Sequence, residues 1–403
     1  MIIAYTYYSN PWQMRTGDNV RICTLYKEIA NICKEKIYVF NLNHKLKKYT
    51  FMKKDKIIYI NVPRAFYNLL CTLTSYNNLE DLNPLVKITH YIDEFLTMIK
   101  LKNWIRNNAG GKYKLFVSGS MTLASFFMKL LRFREEIIYD PLANYAQTLY
   151  LRSRKSFIQL IKYGLYVLLH KLQLKTSKIV LYPSEIDSEN AIRMFKIRNN
   201  RKIKIVHNPY PICFNSRKEY EELRSKRKDF SKPYFTLLAG SRNPANEEAV
   251  KLTIEVFNKH NPEKYHLIIT GPWMDMRIHV KNPSIQLPGV VTHKKLKEVL
   301  AISDYGLAPI FSHAAGTFLK TLAYIAAELD IIATPQALLG IPKNTIKNLN
   351  IYTIKTPKEY NTVVKKILQQ RESVQHIKTK GGHIITCNDA KEVIRKNIKA
   401  VIR

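Results

Sequence analysis

The sequence is short of acids. Against 65 lysines and arginines stand 31 aspartates and glutamates, a formal net charge of +34. Such a balance favours anionic partners: nucleic acid, an acidic membrane surface or phosphorylated substrates. The competing account is compositional bias, since Lys, Ile, Asn and Tyr are all abundant, although bias toward lysine does not by itself deplete acids. Paired cysteine spacing is missing as well. Cys23, Cys33, Cys71, Cys213 and Cys387 are an odd, scattered set, which predicts no disulfide, no structural zinc and a reducing, cytoplasmic setting. No apolar run reaches the about 18 residues that a membrane-spanning helix needs. The start, "MIIAYTYYSNPW", lacks the basic stretch and apolar segment of a signal peptide and reads as a first strand. There is no Gly-x-x-x-x-Gly-Lys-Ser/Thr loop, and "SGSMTL" at 118–123 is not followed by a dinucleotide fingerprint. The 11 histidines show no metal-ligand spacing. Serine-hydrolase and zinc-hydrolase readings are left without support.

What is present is ordinary in amount and regular in order. The 403 residues are 46% hydrophobic and 24% charged, enough for two domains with full cores. In the second half, apolar runs at 234–240, 265–271, 284–289, 304–310, 330–335 and 349–354 alternate with helical patterns such as 293–303 and 357–370. The first half has the same rhythm, with strands expected at 2–8, 36–42, 57–62, 114–118, 136–139, 178–182 and 202–206. Continuous short apolar runs between helices mean parallel sheets covered on both faces. The fold class is α/β: two Rossmann-like, doubly wound domains facing a cleft, with a C-terminal helix crossing back. The expected division is 1–215 for the first domain, 216–233 for a charged linker, 234–385 for the second domain and 386–403 for the final helix. The segment "FIQLIKYGLYVLLHKLQL" (157–174), interrupted by Lys162, His170 and Lys171, reads as a basic amphipathic helix. Two roles are open to it, packing on its own domain or docking on an anionic membrane surface.

In open parallel sheets, ligands bind beyond the carboxyl ends of the strands. Two segments of the second half leave a strand and open a helix there: "AGSRNPAN" (239–246), carrying Arg242, and "SHAAGTFLK" (312–320). In the second, Gly316 permits close backbone approach, Thr317 is placed to cap the helix, and Lys320 sits in the first turn. A cation at that end opposes the helix dipole by a few tenths to about 1 kcal/mol. Either the free N–H groups and Lys320 form an anion site that awaits a diphosphate, or Lys320 snorkels to solvent.

These residues carry a resemblance. The strand ending in Gly240–Ser241 and followed by Pro244 and Asn246 is similar to the donor domain of GT-B glycosyltransferases, in the large retaining family 4 (glycosyl transferases group 1). So are Gly271, Gly289 with Val291, Asp304 with Pro309, and the Gly316-Thr317-x-x-Lys320 start of a helix leading to Ala333–Thr334. In the first half, "TGDNVRICTLYKEIA" (16–30) resembles the family's Gly-rich loop and first helix, and 176–210 its segment before the interdomain linker. The family's two helix glutamates fall on Gly316 and Ala323 here.

The resemblance implies transfer of a sugar from a nucleotide-diphosphate sugar to an acceptor hydroxyl on a glycan, a lipid-linked glycan or a protein. It further implies retention, no metal, and no tightly bound cofactor beyond the nucleotide sugar as co-substrate. It places Gly240, Ser241, Asn246, Gly271, Gly316, Thr317 and Ala323 around the donor, and gives Arg242 and Lys320 the leaving diphosphate. Gly17, Asn19 and Arg21 would face the acceptor or the donor phosphate across the cleft, or form an ordinary turn and cap. Asp140, after the strand at 136–139, is either the catalytic base or a helix-capping acid. The location that follows is cytoplasmic, either free or peripheral on the inner face of the membrane. Two other classes remain: a catalytically degenerate GT-B subunit that binds a partner, prompted by Ala323, and a basic nucleic-acid-binding protein, prompted by the charge and 25 tyrosines. No known DNA- or RNA-binding motif accompanies the latter.

Overall fold

The computed structural model describes residues 1–6, 17–43, 48–64, 84–109, 113–119, 122–142, 157–197, 200–312, 317–370 and 384–402. Two compact units divide the chain, Met1–His207 with Ile394–Arg403, and Asn208–Val393.

Unit 1 is built on β1 (Ile2–Thr6), β2 (Ile37–Asn43), β3 (Thr50–Lys54), β4 (Ile57–Pro63), β5 (Lys114–Ser118), β6 (Ile137–Asp140), β7 (Ile179–Tyr182) and β8 (Ile203–Ile205), in the order β3-β4-β2-β1-β5-β6-β7-β8. Every ladder is parallel except β3 with β4. The order reverses between β1 and β5, which makes their carboxyl ends the switch point. One face is covered by α1 (Gly17–Cys33), whose Ile22, Leu25, Tyr26 and Ile29 pack on Val39, Tyr59 and Phe116. Ile394, Ile398 and Val401 from the chain's last helix join the same cluster. The other face carries α2 (Pro84–Asn108), α3 (Ala124–Leu130) and α4 (Phe157–Thr176), with Met98, Leu101, Met128, Tyr166 and Leu174 against Ile3, Tyr5 and Tyr139. A further helix, α5 (Glu185–Phe195), follows β7.

The expected strands of this half are present; β3 was not among them. Its five residues, TFMKK, are all exposed and contain no apolar run. It is a strand because the chain folds back through Asp55 (φ 54°) onto β4, and its lysines are of the kind that blunt a sheet edge. On α4, the packing role holds for one side. Tyr166, Leu169, His170 and Leu174 are buried, and the His170 ring stacks on Tyr166 and meets the Tyr182 hydroxyl at 2.9 Å from Nε2. Burial lowers that imidazole to about 3, so it is a neutral core residue. The opposite side leaves Leu160, Ile161 and Leu168 at least half exposed.

Unit 2 holds a six-stranded parallel sheet of β9 (Tyr234–Leu238), β10 (His266–Thr270), β11 (Ile285–Gly289), β12 (Tyr305–Ala308), β13 (Asp330–Ala333) and β14 (Ile351–Thr353), ordered β11-β10-β9-β12-β13-β14. Its helices are α6 (Arg217–Arg224), α7 (Pro244–Phe257), α8 (His293–Ile302), α9 (Leu319–Ala326) and α10 (Pro357–Gln370), and α11 (Cys387–Ile402) begins in this unit and ends in unit 1.

Two expectations are corrected here. The charged stretch 216–233 is not a linker, and the units divide earlier, at His207 and Asn208. Ser216 caps α6 by accepting from the Glu219 N–H, and Tyr220 and Leu223 of that helix are buried. Arg227 is buried and donates to Asp304 Oδ1 at 2.7 Å, Arg224 reaches the same oxygen at 3.4 Å, and Asp304 Oδ2 accepts from the Tyr234 N–H at 2.9 Å. Two of the charges that suggested a solvated connector, Arg224 and Arg227, are turned onto one carboxylate. Second, Cys213 and Cys387 form a disulfide, with Cα atoms 4.9 Å apart. A parallel bridge between Phe214 and Thr386 brings these segments together. The cysteines are 174 residues apart, so no local spacing announces the pair.

Candidate functional site

The order of the unit 2 sheet reverses between β9 and β12. The two phosphate-type segments follow these two strands, so the topology brings both to one switch point. After β9, Ala239 ends the buried run and Gly240, Ser241, Arg242 and Asn243 are exposed. Asn243 caps α7 by accepting from the Asn246 N–H at 2.8 Å. Asn246 is buried; its Nδ2 donates to the Ser241 carbonyl at 2.8 Å, and its Oδ1 accepts from Lys320 Nζ at 2.8 Å. Ser241, Asn246 and Lys320 are thus one hydrogen-bonded cluster joining the two segments.

Lys320 lies in the first turn of α9 and is partly buried. Burial lowers its ammonium to about 7, because a low-dielectric setting disfavours the charged form. Its hydrogen-bond partner is a neutral amide. The helix behind it is fixed firmly. The Tyr324 hydroxyl donates to the Leu307 carbonyl and accepts from the Leu238 N–H, both at 2.9 Å, so α9 is tied to β12 and β9 together. The Tyr324 ring lies over Gly306, where a Cβ would meet it at 2.3 Å. Thr321 Oγ1 donates to the Ala337 carbonyl at 2.9 Å.

Arg242 turns away from this cluster. Its Nε donates to the Pro272 carbonyl at 2.9 Å, its guanidinium pairs with Asp275, and it stacks over Trp273 at 5.3 Å. The pair holds the Asp275 carboxyl below its ordinary range. Asp275 and Trp273 are functional candidates that sequence reasoning missed; they carry no motif, and only the turn after β10 aims them at Arg242. Gly271 makes that turn, with φ 129°. A Cβ there would lie 2.0 Å from the Ala239 carbonyl oxygen, and the Trp273 indole N–H donates to that same oxygen at 2.6 Å.

Three expected donor residues need comment. Thr317 does not cap α9. The N-cap is Phe318, without a side-chain cap, and the Thr317 hydroxyl donates to the Gly340 carbonyl at 3.4 Å. Ala323 is 1% exposed and packs in the core with Leu238, Ala308 and Leu322, so as it stands it offers a ligand no surface. Gly316 lies outside the described residues.

In unit 1, the structure brings Arg21 and Asp140 together. Arg21 Nε lies 3.1 Å from both oxygens of Asp140, and Nη1 donates to the Val206 carbonyl at 2.6 Å. The Leu142 N–H donates to Asp140 Oδ1 at 3.1 Å. Asp140 is 0% exposed and Arg21 2%. Burial pushes the carboxyl above its ordinary range while the guanidinium pulls against it. A base on an open face is therefore not what β6 presents. Gly17 opens α1 and Asn19, in its first turn, is buried. Among the described residues no helix is long and apolar enough to cross a membrane, and no group of three His, Cys, Asp or Glu could hold a metal ion.

No model of a known protein family matches the chain, and no curated protein matches it. Solved structures do. Sucrose-phosphate synthase from Thermosynechococcus elongatus superposes with a TM-score of 0.64 at 10% identity, covering 100% of this chain and 95% of that one. A UDP-forming trehalose-phosphate synthase from Burkholderia xenovorans, in complex with glucose-6-phosphate, gives 0.63 at 10% identity, over 98% and 96%. WaaG, a glycosyltransferase involved in lipopolysaccharide biosynthesis, gives 0.60 at 12%, over 100% and 96%. These are GT-B glycosyltransferases, and the fold of this chain is theirs.

Proposed function

We propose that the protein transfers a glycosyl group from a nucleotide-diphosphate sugar to an acceptor hydroxyl, with retention and without a metal ion. The observation that carries this reading is Lys320: a partly buried cation at a helix start, on the switch point, with neutral Asn246 as its hydrogen-bond partner among the described residues. An ammonium held at about 7 by burial regains its charge when an anion arrives. In the transfer, the bond between the anomeric carbon and the diphosphate oxygen breaks, and charge grows on the leaving group. Lys320 and the backbone donors at the start of α9 are positioned to stabilise that charge without rearranging. Arg242 joins them by exchanging Asp275 for a phosphate oxygen. Asn246 holds Lys320, and Gly240 and Ser241 line the approach. Asp140 is assigned to holding Arg21 rather than to proton transfer. Retention comes from the family resemblance, as does the choice among glycan, lipid-linked and protein acceptors.

The test is a panel of UDP-, GDP-, ADP- and dTDP-sugars, read by thermal shift and by release of nucleoside diphosphate. At least one should bind saturably and be turned over or slowly hydrolysed, and the product's anomeric configuration is read by proton NMR. Absence of binding across the panel would sink the proposal.

The exposed side of α4 favours a second, compatible reading, attachment to an anionic membrane surface. Leu160, Ile161 and Leu168 project from it beside exposed Lys171 and Lys175, an apolar stripe with basic flanks of the interfacial kind. Co-sedimentation with phosphatidylglycerol vesicles should be strong at low salt and at least fivefold weaker in Leu168→Glu. Equal sedimentation of the variant would remove this reading.

A further inference from the structure

One stretch of unit 1 is exposed without interruption. Every residue from Lys48 to Lys56 lies at the surface, and the stretch sets Lys48, Lys53, Lys54 and Lys56 against a single acid, Asp55. β3 runs through it as the outermost strand of the eight-stranded sheet, with β4 on one side and, among the described residues, no strand on the other. In an antiparallel pair, alternate residues turn their backbone N–H and C=O groups away from the partner. β3 therefore presents a row of outward backbone groups, the kind of edge on which another strand can form.

The side chains of this edge sort by face. Thr50 Oγ1 accepts from Asn61 Nδ2 at 3.0 Å, and Asn61 alternates along β4 with Ile57 and Tyr59, which pack under α1. Thr50, Met52 and Lys54 are therefore on the α1 side of the sheet. Tyr49, Phe51 and Lys53 are on the other, where Lys100 of α2 lies over the Tyr49 ring at 5.0 Å. Phe51 is 72% exposed and Met52 38%. Each face thus shows an exposed apolar side chain followed by a lysine, Phe51 then Lys53 and Met52 then Lys54. Lysines by themselves keep an edge soluble; the apolar pair works against that role. A second copy of β3 fits badly, because the lysines of both copies would meet on one short ladder. A bilayer also fits badly, since it takes apolar side chains from one face only and offers no strand to the outward backbone groups.

We propose that β3 is a docking edge for an extended, acidic segment of a partner protein, which joins the sheet as a further strand antiparallel to β3. The fitting register sets two acids beside Lys53 and Lys54 and two apolar residues beside Phe51 and Met52. The segment then reads acid, acid, apolar, apolar from its amino end. Backbone hydrogen bonds attach it, and the order of its side chains selects it. β3 is three strand spacings from β1, about 14 Å at the usual separation, so the partner attaches away from the switch point. The inference does not depend on which group the protein transfers.

The test is fluorescence anisotropy of the full chain with a labelled peptide of core Glu-Glu-Val-Val, alongside hydrogen exchange of the β3 amides. The peptide should bind saturably at low salt, weaken as salt rises, and slow exchange at alternate amides of residues 50–54. Affinity should fall at least fivefold in the double variant Lys53→Glu, Lys54→Glu, and as much when alternate peptide nitrogens are methylated. The reversed core, Val-Val-Glu-Glu, should bind more weakly. Both substituted lysines are exposed, so the urea midpoint should stay constant; Phe51→Ser replaces the double variant if the latter does not fold. Equal binding of the methylated peptide would overturn strand pairing, and equal binding by the variant would overturn the charge selection. Slow exchange of every β3 amide in the free protein would show the edge already covered, by this chain or a second copy, and would also sink the proposal. Phosphatidylglycerol vesicles that bind through Phe51 while the peptide does not would replace the partner strand with a membrane.

Discussion

The carboxyl ends of the two sheets hold opposite kinds of polarity. In unit 2, Lys320 and Asn246 meet across two loops, and the cation has a neutral partner. In unit 1, Arg21 Nε is shared between both oxygens of Asp140, and the strands beside it carry uncharged Thr6, Asn41 and Asn61 near their carboxyl ends. One switch point keeps a charge in reserve, while the other has neutralised its own. A reserved charge is a liability to the folded chain until a ligand meets it; a satisfied buried pair is a liability only when one partner is removed. Unit 2 should therefore respond to substitution in its chemistry, and unit 1 in its stability.

The largest break in that comparison is Asp140→Ala. It leaves the Arg21 guanidinium buried without its carboxylate, and urea denaturation should show a loss of about 3–5 kcal/mol, the usual consequence of halving a buried ion pair. A loss of turnover with unchanged stability would instead return Asp140 to the role of base. Next is Lys320→Ala, for which turnover of the sugar nucleotide identified by the panel should fall by about 10²–10³-fold, the worth of one positioned charge-stabilising donor. Its urea midpoint should move little, since the variant also relieves the burial of an ammonium. Unchanged turnover would mean that Lys320 only snorkels.

The smallest effect sharpens the same point through pH. The folded-state value of Lys320 is about 7 against an ordinary 10.5. Between those values the unfolded chain binds the proton and the folded one does not, so this residue's contribution to stability rises with pH across that window. Binding of a diphosphate reverses the shift and takes up a proton. Calorimetry of UDP binding at pH 8, in buffers of different ionisation enthalpy, should report uptake approaching one proton, and affinity should weaken by up to about tenfold per pH unit above 7. Lys320→Met should abolish the uptake. A pH-independent affinity in the wild type would show that the ammonium does not meet the ligand.

Local pattern carried much of this far. The parallel strands of both units are short apolar runs, and the segments 239–246 and 312–320 stand out because small residues and cations lie within nine or fewer positions of each other. What escaped is what depends on distant partners. Arg21 and Asp140 are 119 residues apart, and the strand end that suggested an open base is closed by an arginine from α1. The charged stretch 216–233 suggested solvent because its acceptor, Asp304, lies some 77 residues beyond Arg227. Ala323 was aligned by its position in a motif, whereas its helical phase turns it into the core.

By itself, the sequence determined the two α/β sheets, parallel but for one edge strand, and the absence of spanning apolar runs. Each follows from side chains that are neighbours along the chain or at helix and strand periods. Only the tertiary structure decided which charges are available and which are already matched. It gave Lys320 a neutral partner and Arg21 an acidic one, joined Cys213 to Cys387, and aligned Thr6, Asn41 and Asn61 on one rung. The reason is physical: burial and pairing set the electrostatic state of a group, and both are properties of neighbours in space.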